Sequence, residues 1–328
     1  MTPSSDLPEA GPPPSEPQPQ LAPVLDKKVP SMLAKVFTGP NGIRAGWRLL
    51  IFLLFFGAIA AGLNFGIRHI PVVRTALHTD RGAPLSPARV LFGEGFSVLT
   101  LLAITFLMTL IEKRKFADYG LPARGAFGKQ FWLGVAFGFA MLSILLAGIG
   151  AGHGLSLGGL AITGPTAIEY GLVWGIAFVL VGVFEEFSFR GYLQATLGSG
   201  IGFWWAAVVL SAIFGAIHLN NSGEGKFGAF MAGVFGIVAA FSVLRTGSLW
   251  FAIGMHASWD WGETYFYGTP DSGLVARGHL FNSSFHGPAW LTGGTVGPEG
   301  SYLVLLILLL GAAGIHFLFP ARPRVPQT

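Results

Sequence analysis

The chain has 328 residues, 52% of them apolar and only 11% charged, with no cysteine and a formal charge of +4. Soluble domains carry roughly 25% charged residues, so the composition belongs to a protein built for lipid. The missing cysteine excludes disulfides, thiolate nucleophiles and cysteine-ligated metals. The basic residues are scattered through connecting segments rather than massed, which argues against nucleic acid as a partner.

Residues 1–40 read as a separate tail. Nine of the first 30 residues are proline, around "GPPPSEPQPQLAP". Such a composition cannot bury enough surface to offset chain entropy, so the tail is expected to be disordered. It has neither the basic start nor the apolar core of a secretory signal. The remainder, 41–328, reads as one membrane domain.

A spanning helix needs about 20 mostly apolar residues. About eight candidates follow in order: 46–67, 91–112, 130–152, 168–188, 203–219, 227–244, 247–263 and 301–319. The seventh is the weakest, because "GMHASWDWGETY" loads it with polar groups. The fold class is therefore all-α: a polytopic transmembrane bundle, with 264–300, rich in Gly, Pro, Ser and Thr, as an extramembrane loop. Gly134 and Gly138 sit at a spacing that suits close helix contact. With the tail inside, 14 of the 20 Lys and Arg residues fall on the inner side, Arg190 among them, and six on the outer. This bias predicts cytoplasmic termini in a cell (plasma or inner) membrane.

Charged groups inside spans cost about 2.5–3.5 kcal/mol even on lenient scales, so they mark function by default. Glu185, Glu186 and Arg190 close the fourth span in "VFEEFSFRGYL", His218 ends the fifth in "SAIFGAIHLN", and His256, Asp260 and Glu263 lie on the seventh. Glu186 and Arg190 are i,i+4 and can pair, as can His256 and Asp260. Glu185 points about 100° away from Glu186, so the two carboxylates serve different ends. One is an anion pinned by arginine and the other a titratable group facing a different neighbour, the pairing that acid–base chemistry uses. These groups imply a polar cavity among spans four, five and seven. Glu94 near the start of the second span reads as solvated, with a cavity-facing place as the alternative, His316 in the eighth as structural, His279 and His286 as surface residues, and "FWW" at 203–205 as an interfacial belt.

The set "EEFSFR", "FGAIH" and "HASWD" resembles, in order, the three motifs of the CAAX-prenyl-protease and bacteriocin-processing family of intramembrane peptidases. The resemblance covers about 168–263 and departs from many members in having Asp260 where they have asparagine. It implies hydrolysis of a peptide bond in a membrane-anchored or lipidated peptide or protein, within the bilayer and near the cytoplasmic side. Glu185 would be the general base and would activate water with His218, while Glu186 and Arg190 would be the supporting pair. His256 and Asp260 would complete the site, with Asp260 orienting His256, binding a metal or donating a hydrogen bond if protonated. Glu185, His218, His256 and Asp260 are also the candidates for a divalent ion such as zinc, since two histidines and a carboxylate suit it. No "HExxH" is present, and the reading leans to a metal-free, glutamate-dependent mechanism. His218 poses a difficulty, because on an antiparallel fifth span it falls towards the opposite end from Glu185. The alternatives are a proton-coupled transporter, which would gain from inverted repeats that are not found, and a non-catalytic scaffold or immunity protein.

Overall fold

In lipid every backbone N–H and C=O must be satisfied within its own segment, so apolar runs form helices. A computed structural model describes residues 32–39, 42–71, 84–221 and 223–320; most of the proline-rich tail, with Lys27 and Lys28, and also Arg74, Arg81, Arg322 and Arg324, lie outside the described residues. The last described part of the expected tail is a short helix, α1 (Met32–Phe37), running into β1 (Thr38–Gly39), which pairs with β2 (Gly42–Ile43).

Five helices are long and apolar enough to cross a membrane. They are α2 (Ala45–His69), α3 (Pro87–Glu112), α4 (Lys129–Ala151), a continuous stretch from Gly164 to Ile201, and α8 (Lys226–Thr246). The fourth comprises α5 (Gly164–Glu186), a π-helical segment Phe187–Leu193 and α6 (Gln194–Ile201). Three further segments fall short of that length: α7 (Phe203–His218), α9 (Trp250–Trp261) and α11 (Leu303–Leu318), with the single turn α10 (Ala289–Thr292) before the last. At 1.5 Å per residue, the 16 residues of α7 rise only about 24 Å. The chain is mostly helical, and five spans, not eight, meet the criterion of length and hydropathy.

The weak hydropathy of α9 has a structural reason. Every residue from Trp250 to Asp260 is buried, so its polar groups never meet lipid. Its closest partner is α4, and glycine makes that approach possible. A Cβ on Gly134 would collide with Phe251 O, one on Gly138 with Met255 O, and one on Gly254 with Phe131 O. Small residues at such crossings let backbones touch where lipid offers no hydrophobic drive. Around this contact lies a core of Leu142, Leu145, Phe251, Met255 and Leu308. A second core joins Leu101, Ile104 and Met108 of α3 to Tyr119, Phe187 and Tyr192. Large side chains such as Leu54, Phe92, Trp205 and Phe317 point outward, as a lipid-facing surface requires.

The helices alternate in direction, which gives the bundle two distinct ends. One end gathers residues 113–128, the turn at Gly202 and the turn at Gly247: Arg48 bonds Glu112 (2.6 Å) and Ser199 (2.5 Å), and Leu249 N donates to Gly120 O (2.8 Å). The other end gathers 152–163, 219–221, 223–225 and 264–300. There β3 (Leu155–Leu160) pairs antiparallel with β4 (Phe281–Phe285), and Asn221 Nδ2 donates to Ser272 O at 3.2 Å. The segment 264–300, expected as a loop, is thus folded over this end of the bundle.

Candidate active site

The path of the fourth helix resolves the difficulty over His218. The sequence suggested that Glu185 ends a span; instead the helix runs on to Ile201 before reversing at Gly202. Glu186 precedes Gly202 by sixteen residues and His218 follows it by sixteen, so antiparallel α7 returns His218 to the level of the carboxylates. Arg190 likewise sits buried in the helix rather than in a connection, so it is not a loop charge. The helix changes to π geometry just after Glu186, a form that in α-helices is frequent at functional sites. Gly191 within it takes ψ −105°, and a Cβ there would lie 2.5 Å from Phe187 Cδ2.

Glu186 is fully buried and central to the polar group. Its Oε1 accepts from Arg190 Nη1 at 3.0 Å and from His256 Nδ1 at 2.8 Å. The Arg190 guanidinium also lies 4.3 Å from the Phe214 ring centroid, a cation–π contact. Since a carboxylate can only accept, Nδ1 of His256 carries the proton. Its Nε2 then faces the gap between Glu185 Oε2 (3.6 Å) and Asp260 Oδ2 (3.5 Å). The orienting carboxylate expected at Asp260 is therefore Glu186, and Asp260 stands on the opposite edge of the ring. His218, half-buried, donates from Nδ1 to Phe214 O at 2.8 Å, which leaves Nε2 for the cavity.

A cavity of about 300 Å³ takes in Glu185, His218, His256 and Asp260 together. Glu186 and Arg190 are not in its wall; they act from behind it. Glu94 from α3, expected to be solvated, also faces this cavity, as do Asn221, Asp271 and Glu299 from the connections at the folded-over end. Sequence reasoning missed Asn221, Asp271 and Glu299, and left Glu94 open between a solvated and a cavity-facing place. Glu94 carried the same signal as the others, a carboxylate in an apolar helix. Asp271 and Glu299 lay in a segment whose composition suggested only loop. Trp204 and Trp205 are exposed beside Gly202, as the expected belt would be, and Arg245 Nη2 donates to His316 O at 2.6 Å.

Both histidines hold Nδ1–H on an acceptor and turn Nε2 to the cavity, the orientation that metal-ligating histidines adopt. Their separation does not fit a closed zinc site. No three of Glu185, His218, His256 and Asp260 bring ligand atoms within 4.8 Å of one another; among the described residues only Glu263, Asp271 and Glu299 do so.

With this geometry in view, comparison with known families gives one match: residues 167–262 fit the family described as type II CAAX prenyl endopeptidase, Rce1-like. No curated protein matches the chain. The matched span begins in α5 and ends just after α9, enclosing all three motifs. The apolar helices and this protease family make the chain an integral membrane protein. Over residues 167–262 the chain is similar to the Rce1-like type II CAAX prenyl endopeptidases, in keeping with the CAAX-prenyl-protease and bacteriocin-processing family that its three motifs resemble.

Proposed function

We propose that the chain is an intramembrane endopeptidase that hydrolyses a peptide bond of a membrane-associated, lipidated or otherwise anchored substrate. The observation that carries this reading is the convergence of Glu185, His218, His256 and Asp260 on one cavity, with Glu186 and Arg190 buried behind it. In this reading all eight apolar segments cross the bilayer from residue 41 onward, α7, α9 and α11 short because neighbouring helices and the cavity shield their ends.

Glu185, partly open to the cavity, takes a proton from water as its oxygen bonds to the scissile carbonyl carbon. His218 Nε2 accepts the other water hydrogen and fixes the attack direction. Collapse of the tetrahedral intermediate breaks the C–N bond, and Glu185 returns the proton to the leaving nitrogen. Glu186 holds His256 in one tautomer, and Arg190 balances the charge of Glu186. His256 and Asp260 form the facing wall.

The cavity is lined from the end that carries 219–221, 223–225 and 264–300, so the substrate enters there. The Lys- and Arg-rich connections lie at the opposite end with the start of α2 and the end of α11, and the charge rule then directs the cavity mouth away from the cytoplasm, whereas the sequence reading put the cleaved bond near it.

The test is cleavage of an anchored peptide library by the purified protein, with Glu185→Ala and His218→Ala as comparisons and with and without chelator. Loss in both variants with survival under chelation supports the glutamate mechanism. Cleavage unaffected by Glu185→Ala removes it from the mechanism. A protein that cleaves nothing but dissipates a proton gradient is the transporter.

A further inference from the structure

Beside the cavity mouth lies a second group of carboxylates that the peptidase reading does not use. Glu263 comes from the π-helical end of α9 (Gly262–Tyr267), Asp271 from the segment that follows, and Glu299 from the turn Pro298–Gly300 before α11. Each offers an oxygen within 4.8 Å of the others. Clustering alone would mean little, but Glu263 is fully buried and no close hydrogen bond satisfies either of its oxygens. The indole N–H of Trp259 faces it without making a close bond. Among the described residues no lysine or arginine forms an ion pair with any of the three.

The other two carboxylates are held from outside. Asp271 Oδ2 accepts from Thr264 Oγ1 at 2.9 Å, and Glu299 Oε2 accepts from Ser272 N at 3.0 Å and Ser272 Oγ at 2.5 Å. Outer-shell donors of this kind aim carboxylates at an ion.

We propose that Glu263, Asp271 and Glu299 bind one hard divalent cation of calcium's type, tying the 264–300 segment to the end of α9 at the rim of the cavity. Calcium takes oxygen ligands at about 2.3–2.6 Å and accepts six to eight of them, so ligand atoms up to about 5 Å apart fit around it. Asp271 and Glu299 are partly exposed, and water completes the shell. The donors are all oxygen, which disfavours zinc. Asp271 and Glu299 line the same cavity as Glu185 and His218 but group with Glu263 rather than with them, and the proposal does not depend on the peptidase reading.

The experiment uses the full chain in detergent, stripped with chelator and dialysed, then titrated with CaCl2 and separately with MgCl2. Thermal unfolding and calorimetric calcium binding are both read. The expected result is about one calcium per chain and a saturable rise in Tm of several degrees. Glu299→Gln and Asp271→Asn, both at partly exposed positions, should remove binding and the rise together. Glu185→Ala should retain both while losing cleavage, which separates this site from the catalytic one. No saturable binding up to about 10 mM, above the weakest range known for such sites, overturns the proposal. So does binding that persists unchanged in both Glu299→Gln and Asp271→Asn, or that vanishes in Glu185→Ala.

Discussion

Replacing Glu186 by glutamine tests the charge arrangement behind the cavity while disturbing its shape least. Glutamine keeps an oxygen to accept from His256 Nδ1 at the present 2.8 Å, but it cannot balance Arg190, whose guanidinium is 3.0 Å away and 4% exposed. Breaking a buried pair from one side costs about 3–5 kcal/mol because the remaining charge stays uncompensated. At about 2 °C per kcal/mol for a chain of this size, Tm should fall by about 6–10 °C in detergent. The double variant Glu186→Gln/Arg190→Met removes both charges and should recover most of that loss, since no uncompensated ion then remains in the interior. Glu185→Gln, at a carboxylate that is 27% exposed and touches no arginine, should leave Tm within about 2 °C while abolishing cleavage. A Glu186→Gln protein as stable as wild type, or a double variant whose losses simply add, would refute the claim that Glu186 is the counter-ion of Arg190.

Other parts of the structure make their own predictions. Gly138→Ala puts a methyl group against Met255 O, which neither backbone can relieve, so overpacking of about 1–3 kcal/mol should appear as a lower Tm; an unchanged Tm would mean that α4 and α9 do not touch there. Glu224, in the connection between α7 and α8, has its carboxyl raised above the ordinary value of 4.5 first by burial, against the bond from Gly225 N, with Glu299 adding to it. Its ionised form is therefore penalised in the folded state, and stability is lost as pH rises above about 4.5. Glu224→Gln should raise Tm at pH 7 and make no difference below pH 4.5, and a loss of Tm at pH 7 would contradict the sign. Because the native chain has no cysteine, single cysteines report topology cleanly. Asn220→Cys and Arg114→Cys, both exposed and at opposite ends, should label from outside and inside the cell respectively with an impermeant maleimide; the reverse pattern would turn the cavity mouth to the cytoplasm.

The identity of the polar groups was legible because charge in lipid is costly and stands out against so apolar a chain. Glu185, Glu186, Arg190, His218, His256 and Asp260 could all be found that way, and i,i+4 spacing was enough to pair Arg190 with Glu186. That α4 is closely approached was also legible, in Gly134 and Gly138, while the structure alone names α9 as the partner. What hydropathy could not reveal was where a helix stops being lipid-facing. It placed a boundary near residue 188, since a run of polar groups looks the same whether it leaves the membrane or faces a partner helix. Only packing decided that the fourth helix continues through a π segment to Ile201, and that continuation brings His218 level with Glu186. Side-chain direction was equally hidden. Glu186, not Asp260, meets His256 Nδ1, because the ring's rotation depends on α5 and α9 crossing near Gly182 and Ile253 O. Asp271 and Glu299 join the cavity through backbone pairings across 264–300, contacts between distant residues that no local pattern encodes.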